Sequence, residues 1–393
     1  MQFKRLEDAD VHGKRVLLRE DLNAPMKNGT VADQTRLVAA LPTLRWLRGH
    51  GARTVILSHL GRPDGKPDPK FSLRPIATAL AELLGEPVGF VDDCVGAAAV
   101  AASKALSDGG FVLFENVRFH PEEEANDPAF ARELARSGDL YVNDAFGTAH
   151  RAHASTAGVA ADLPSYAGLL MEAELAALSR LTEDPAHPYV CAIGGAKVVD
   201  KVGVFENLIA KVDAFVIGGG MANTFLAAQG IGVGRSLRDP DLIPAQRIIA
   251  LALSRGVDLH LPTDAVVADA LDADDTARVV SLDAVGDGMI LDIGPQTAEE
   301  YATVLRGAKT IVFNGPMGVY EKPAYQNGTR VVGEAIAAAT KAGAVSVVGG
   351  GDAAAAAHEL GFADAMTHVS TGGGATLEFL EGKTLPGIAA LES

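Results

Sequence analysis

Cysteine is almost absent: Cys94 and Cys191 are the only two in 393 residues, and they lie far apart. That leaves no disulfide framework and no close metal-binding spacing between them, and it fits a reducing compartment. Aromatic residues are only 5% of the chain, so the core must be built from Ala, Val, Leu and Ile. No apolar run reaches the ~18 residues that a bilayer span needs, and the first 21 positions hold none long enough for a signal peptide. The expectation is a cytoplasmic protein. Positive charge is also short, with 34 Lys and Arg against 50 Asp and Glu, a net of −16. A chain this acidic has no general nucleic-acid or membrane surface.

The charge deficit is uneven. Residues 1–168 hold 19 Lys/Arg and 22 Asp/Glu, whereas the remaining 225 hold 15 and 28. Six of the ten histidines also fall in the first part. An acidic chain repels anionic substrates, so an anion site requires a local basic cluster, and the first part is where one can form.

At 393 residues the chain exceeds one ordinary core, which predicts two domains. Short apolar runs at Val16–Leu18, Thr54–Leu57, Phe111–Phe114 and Leu140–Val142 read as strands. So do Tyr189–Ile193, Ala214–Ile217, Thr310–Phe313 and Ala344–Val348 further on. They are continuous rather than alternating, as in parallel strands buried on both faces. Helical patterns lie between them, for example Pro75–Leu84, Glu172–Leu181 and Thr329–Ala342. The fold class is therefore α/β, two mostly parallel sheets flanked by helices. The predicted division is 1–168, 169–377 and a C-terminal segment 378–393. Tyr166–Leu178 reads as one amphipathic helix bridging the two lobes.

Ligands of open parallel sheets bind beyond the carboxyl ends of the strands. In the first part those ends read Arg19-Glu20-Asp21-Leu22-Asn23, then Ser58-His59-Leu60-Gly61-Arg62, then Glu115-Asn116-Val117-Arg118-Phe119-His120, then the run from Asn143 to His153 with His150 and Arg151. Arg36 opens a helix predicted over Asp33–Leu47. Each end carries Arg, His or both, and parallel strands bring them to one edge. Arginine suits bidentate contact with carboxylate and phosphate, so the set predicts a site for a small polyanion. His120, beside Pro121 and three glutamates, reads as surface.

In the second part the strand ends are glycine-rich: Gly194-Gly195-Ala196-Lys197, Gly218-Gly219-Gly220, Asn314-Gly315-Pro316-Met317-Gly318 and Gly349-Gly350-Gly351-Asp352, with Gly372-Gly373-Gly374 near the end. Glycine lets backbone approach a phosphate, and a helix N-terminus behind it offers N–H groups. No GxxxxGK[ST] occurs, so this is not a P-loop, and no GxGxxG directly follows a strand. Lys197 and Lys201 fall on one face of a helix if it starts at Gly195. Asp352 is either a helix cap or an oxygen ligand for Mg²⁺.

Together these blocks resemble the phosphoglycerate kinase family over essentially the whole length: Arg19-x-Asp21-x-Asn23, SHLGRP at 58–63, ENVRF at 115–119, DAFGTAHRAHAST at 144–156, GGAKVxDK at 194–201, FNGPMGVYE at 313–321, GGGD at 349–352 and TGGGA at 371–375. The resemblance implies two Rossmann-like lobes with a cleft and a hinge, the hinge lying near Tyr166–Leu178. It implies transfer of a phosphoryl group between 1,3-bisphosphoglycerate and ADP, as in glycolysis and gluconeogenesis, by a monomer with no nucleic-acid or membrane partner. It puts 3-phosphoglycerate on Asp21, Leu22, Asn23, Arg36, His59, Leu60, Gly61, Arg62, Arg118 and Arg151. It puts the nucleotide on Gly195, Lys197, Lys201, Gly219, Ile290, Leu291, Asn314, Pro316, Val319, Glu321, Gly350, Gly351, Asp352 and Ala353, with Mg²⁺ on Asp352. Arg36, Lys197, Gly350 and Gly373 are then the groups expected to stabilise the transferring phosphoryl. Three places depart from the family's pattern: Arg19-Glu20-Asp21-Leu22-Asn23-Ala24-Pro25 stands where Arg-Val-Asp-Phe-Asn-Val-Pro is common, with Arg19, Asp21 and Asn23 kept; Ala353 supplies only backbone where a hydroxyl residue is usual; and Ile290, where glycine is common, adds bulk beside Leu291. The competing readings are an NAD-dependent dehydrogenase, for which the early glycine fingerprint is missing, and a non-catalytic binding protein on the same fold.

Overall fold

Strands form where aliphatic residues run without interruption, and helices fill the stretches between them. The computed structural model describes residues 3–392, so positions 1–2 and 393 of the predicted end segments lie outside it. The chain divides into two units. Unit 1 is everything up to Leu175 together with the chain from Thr384 on, and unit 2 is Ala176–Lys383. The divisions thus fall at 175/176, inside the helix Leu169–Thr182, and at 383/384, in the irregular stretch between the helices Gly374–Leu380 and Pro386–Ala389, against expected divisions at 168/169 and 377/378.

Unit 1 begins with strand β1 (Arg15–Arg19), the hairpin β2 (Met26–Lys27) and β3 (Thr30–Val31), helix α1 (Thr35–Gly49), β4 (Arg53–Leu57) and α2 (Arg74–Leu84). Next come β5 (Val88–Val91), α3 (Gly96–Ala105), β6 (Phe111–Phe114), α4 (Pro121–Glu124), α5 (Pro128–Ala135), β7 (Leu140–Asn143), β8 (Ser165–Ala167) and α6 (Leu169–Thr182). Its six-stranded sheet runs β5-β6-β4-β1-β7-β8, and every neighbour is parallel. Arg19 pairs in register with Leu57 on one side and Asn143 on the other, so these strand ends share one edge.

Unit 2 continues with β9 (Tyr189–Ile193), α7 (Val202–Leu208), β10 (Ala214–Ile217), α8 (Gly219–Ala228), α9 (Ile243–Arg255), β11 (Asp258–His260), β12 (Asp264–Ala268), β13 (Arg278–Ser281) and β14 (Met289–Ile293). Then follow α10 (Pro295–Arg306), β15 (Thr310–Asn314), α11 (Asn327–Lys341), β16 (Val345–Val348), α12 (Gly351–Glu359), β17 (His368–Val369) and α13 (Gly374–Leu380). A second parallel sheet runs β11-β10-β9-β15-β16-β17. A smaller antiparallel sheet, β13-β12-β14, stands beside it. The last helix, α14 (Pro386–Ala389), belongs to unit 1, where Gly387 N donates to Ala149 O at 2.8 Å.

Each unit has its own aliphatic core. In unit 1, Val16, Leu18, Ile56, Leu113 and Val142 of the sheet meet Leu37, Leu44 and Leu80 of the helices. In unit 2, Val190, Val216, Ile311 and Phe313 meet Tyr301, Ile336 and Ala353. Burial of each large aliphatic side chain contributes about 1.5–3 kcal/mol before entropy is counted. Local chemistry sets the helix ends. Asp127 accepts from Ala129 N and Phe130 N to start α5, and Gly85, at φ 69°, ends α2 in the left-handed region.

Two sequence expectations need correction. Tyr166 lies on β8, not on the helix, which begins at Leu169. The intervening Gly168 sits where an added Cβ would come within 2.2 Å of Asp144 Oδ1. Lys197 and Lys201 do not share a helix face either. The chain after β9 is a loop through Val198, a 3₁₀ turn holds Val199–Lys201, and α7 starts only at Val202. Gly195, at φ 116°, lies outside the helical region, so no helix starts there, and Asp239 Oδ2 holds the loop by accepting Val198 N at 2.7 Å.

Candidate functional site

In unit 1 the strand-end residues divide into an interior frame and a more open set. Arg19 points inward and is fully buried. Its Nε donates to Ser155 Oγ (2.8 Å), one terminal nitrogen reaches Glu20 O, and the other lies 3.2 Å from His59 Nδ1. Ser155 in turn donates to Glu123 Oε1 at 2.6 Å, which places a buried carboxylate behind the arginine. Neither the inward turn of Arg19 nor the Glu123 contact was readable from strand-end position. His59 is 3% exposed, and burial holds its imidazole well below the usual histidine range, so it sits neutral.

The open set surrounds Asp21. Its carboxylate contacts the Arg36 guanidinium at the first turn of α1 and accepts Asn23 N at 3.3 Å. Burial pushes the Asp21 carboxyl up, but Arg36, with Arg19 nearby, outweighs burial and holds it at about 2. Asn23 Oδ1 accepts Gly61 N (2.9 Å), and Leu22 N donates to Ser58 Oγ (2.9 Å), so two strand-end turns are laced together. Leu22 and Leu60 are buried and pack as core. Gly61, at φ 61°, sits where a Cβ would come within 2.3 Å of the Phe71 ring. Its carbonyl accepts from Arg118 at 2.9 Å. Arg118 is 5% exposed, and its Nε lies 3.2 Å from Glu124 Oε1 in an ion pair too oblique for a hydrogen bond. Burial first, then repulsion from Arg19 and Arg151, lowers Arg118 to about 10. Burial first, then Arg118, Arg19 and Arg151, also hold His153 at about 3. Such mutual repulsion is what a bound polyanion relieves. Arg62 is exposed and makes no hydrogen bond or ion pair among the described residues.

Asp21 yields a prediction here. Its pKa in the folded chain lies below the unfolded value, so it adds stability that is present above pH ~4 and lost as pH falls toward 2. Asp21→Asn is expected to cost on the order of 2 kcal/mol at pH 7, with the gap narrowing at pH 3. Denaturant unfolding of parent and variant at both pH values measures it. A gap that does not change with pH would show that the ion pair contributes nothing.

In unit 2 the ends of β9, β10, β15 and the strand β14 wall a pocket of about 440 Å³. Gly195, Gly219, Pro316, Val319, Glu321 and Asp352 line it, as do Ile290 and Leu291. The rest of its wall is largely apolar, including Leu226, Leu237, Leu271 and Met289, with Asn223 and Asp292 as polar exceptions. Leu237 and Leu271 are 54% and 43% exposed, unusual for leucine, and they lie in irregular segments that carry no sequence signal. The close approach of β9 and β15 demands glycine. A Cβ on Gly194 would come within 2.0 Å of Pro316 O, and one on Gly315, at φ 110°, within 2.3 Å of Gly194 O.

Lys201 lies under this glycine floor. Its ammonium donates to Gly194 O (2.8 Å) and Asn314 O (2.6 Å), tying the two strand ends together. Burial lowers it to about 8, with Cys191 and Asp352 pulling the other way. Asn314 is buried and donates to Gly349 O at 2.7 Å, and its Oδ1 has no hydrogen-bond partner among the described residues. Lys197 is exposed on the loop. Gly350, at φ 99°, precedes α12, with Gly351 at the helix start, and Ala353 is buried beneath it at 1% exposure. Asp352 is exposed and caps nothing: the N-cap position is Gly350, and Asp352 makes no hydrogen bond or ion pair among the described residues. Gly373, at φ 49°, precedes the seven-residue α13. Lys197, Lys201, Asn314, Gly350, Gly351 and Ala353 border this end of the sheet but do not line the pocket itself.

The arginine locus and the glycine-walled pocket have counterparts among known proteins. A family profile described as phosphoglycerate kinase matches residues 6–383. The phosphoglycerate kinase of Moorella thermoacetica is 54% identical over 388 residues, 98% of each chain. That of Chloroflexus aurantiacus is 53% identical over 397 residues, covering 100% of this chain and 99% of its own. Among solved structures, the phosphoglycerate kinase of Coxiella burnetii superposes with a TM-score of 0.90 at 46% identity, covering 99% of both chains. That of Pyrococcus horikoshii gives 0.84 at 35% identity, covering 99% and 98%. On this full-length similarity in sequence and structure, the chain belongs to the phosphoglycerate kinase family.

Proposed function

We propose that the arginine locus of unit 1 holds the phosphorylated glycerate and that the pocket of unit 2 holds ADP or ATP, with Mg²⁺ on Asp352. Membership of the family makes the chain an enzyme, a phosphotransferase with a carboxyl acceptor. It transfers a phosphoryl group reversibly between 1,3-bisphosphoglycerate and ADP, giving 3-phosphoglycerate and ATP. The matches do not favour a dehydrogenase or a non-catalytic protein.

One observation carries the site assignment: Asp352, an exposed carboxylate with no hydrogen bond or ion pair among the described residues, stands at a helix start on the rim of a glycine-walled, largely apolar pocket. Apolar walls suit an adenine ring, bare backbone suits phosphates, and a lone carboxylate suits the one or two protein oxygens that Mg²⁺ takes beside phosphate. Mg²⁺ would neutralise charge on the nucleotide phosphates when bound. In the ATP-consuming direction a carboxylate oxygen of 3-phosphoglycerate forms the new bond to the γ-phosphorus as the bond to the ADP oxygen breaks. The acid ionises at low pH, so no general base is required. The protein's task is positioning and positive charge. Arg118, Arg151, Arg62 and neutral His59 hold the acid. Arg36, Lys197 and the N–H groups after Gly350 and Gly373 meet the phosphoryl group in transit. Glu321 reaches the ribose, beside Ile290 and Leu291 at the base. The same reading keeps the enzyme monomeric and cytoplasmic, and no described helix is long and apolar enough to cross a membrane.

A coupled assay with ATP, Mg²⁺ and 3-phosphoglycerate tests the function, and ADP release that ignores the acid would overturn it. Asp352→Asn tests the metal assignment. The Mg²⁺ concentration giving half activity is expected to rise about tenfold or more, while binding of metal-free ADP stays within about threefold. An unchanged Mg²⁺ midpoint would remove Asp352 from the metal site.

A further inference from the structure

Away from both sites, His120 meets two adjacent metal-binding side chains, Asp93 and Cys94, that lie well upstream in the sequence. Asp93 and Cys94 follow β5, and His120 follows β6 through the 3₁₀ turn Val117–Phe119. These strands are parallel neighbours, with Val91 in register with Phe114, so both loops leave the sheet at one edge. Asp93 Oδ1 accepts Cys94 N at 2.7 Å and lies 2.9 Å from His120 Nε2. One carboxylate oxygen, the Cys94 sulfur and one imidazole nitrogen all fall within 4.8 Å of one another. The His120 ring packs against Phe130, with centroids 5.0 Å apart. The expectation that His120 is mere surface is therefore corrected: its side chain is 29% exposed and faces a recess of about 340 Å³ shared with Asp93, Cys94 and Glu115.

We infer that Asp93, Cys94 and His120 form a binding site for one zinc-class divalent cation, with water in the fourth position. The donor set decides the ion. A thiolate, an imidazole and a carboxylate make a borderline-soft site, which suits Zn²⁺ and disfavours the all-oxygen cations Mg²⁺ and Ca²⁺. Tetrahedral Zn²⁺ with bonds near 2.0–2.3 Å needs donors roughly 3.3–3.6 Å apart. Adjustments of about an ångström bring the three donors there, and the open recess leaves room for the water. As the sulfur–metal bond forms, the Cys94 thiol proton leaves to solvent, and no oxidant or reductant is involved. The ion would tie the loop after β5 to the loop that carries Arg118, two residues before His120.

The test uses full-length protein freed of metal with a chelator. Zn²⁺ uptake is measured by competition with a chromophoric chelator, and Co²⁺ serves as a spectroscopic probe. The expected result is one ion per chain, with a thiolate-to-cobalt absorption band. Cys94→Ser should abolish that band, and both Cys94→Ser and His120→Gln should weaken Zn²⁺ binding at least tenfold. Cys191→Ser, which changes the buried cysteine of unit 2, should alter neither. No uptake at micromolar Zn²⁺, a cobalt spectrum of the parent protein without the thiolate band, or affinity within threefold of the parent in both variants would overturn the site. The parent's cobalt spectrum decides the matter even if a variant fails to fold.

Discussion

Arg36→Ala is expected to lower kcat by about 10²-fold or more while leaving the KM for nucleotide within about threefold. Arg36 stands at the first turn of α1, its side chain about one-third exposed, with one arm on Asp21. Asp21 holds that arm in place, and the charge of Arg36 in return keeps Asp21 ionised. The remaining donors are free to meet charge that grows on the phosphoryl oxygens. An interaction made mainly in the transition state shows in kcat, whereas the proposed nucleotide pocket belongs to the other unit. The confounding effect is stability, because Ala also strips Asp21 of its partner. Arg36→Lys separates the two. It restores a positive charge beside Asp21 and should recover the unfolding midpoint, yet a single ammonium lacks the fork that serves Asp21 and an anion together. Turnover of Arg36→Ala within threefold of the parent would end the catalytic role, and full recovery of kcat in Arg36→Lys would reduce it to charge alone.

Legibility from sequence followed burial. Strands buried on both faces were readable nearly to the residue: Phe111–Phe114, Tyr189–Ile193 and Ala214–Ile217 have the predicted bounds. Edge strands were not. β5 is mostly half-exposed, and β11 and β17 hold three and two residues, too few for a period to register. The antiparallel sheet β13-β12-β14 was missed although β14 supplies Met289, Ile290 and Leu291 to the pocket wall, because its exposed outer strand dilutes the apolar signal. In the site, the residue types were legible and their directions were not. A basic residue at a strand end points to the ligand or into the core according to the pleat and its neighbours. Arg19 turned inward because Ser155, His59 and the carbonyl of Glu20 await it there, all three far from the strand in sequence or invisible as backbone. Glu20 and Asp144, a buried carboxyl pair, gave no signal either. Burial and then the Asp144 charge push Glu20 well above the usual range, and burial raises Asp144 to about 6, so a proton is retained there. Asp144 also accepts Met171 N at 3.0 Å, which anchors the first turn of α6.

Lys201 carries the second large effect, and it is a pH effect. Its ammonium sits beneath the glycine floor of the unit 2 pocket, 3.7 Å from where a Cβ on Gly195 would lie and 3.0 Å from one on Gly315. Burial sets it at about 8 rather than the usual value above 10. Because the folded value lies below the unfolded one, the unfolded chain binds more protons between pH ~8 and ~10.5, and this group makes stability rise with pH across that window. Nucleotide binding at the proposed site is expected to have the opposite slope. Phosphates favour the charged ammonium, so above pH ~8 the free protein must regain a proton to bind. The ADP dissociation constant is therefore expected to rise above pH 8, approaching tenfold per unit by pH 9–9.5. An ordinary lysine would show no such change below pH ~10. Lys201→Met should bind ADP about 10–100-fold more weakly at pH 7, the worth of one charge-assisted phosphate contact, and its affinity should no longer fall across pH 8. Its thermal midpoint must be recorded alongside, because the carbonyls of Gly194 and Asn314 lose their donor. Titration calorimetry from pH 7 to 9.5 on parent and variant decides between a phosphate-facing charge and a mere brace. A flat affinity profile in the parent, with the variant weakened only in stability, would leave Lys201 as a tie between β9 and β15 and nothing more.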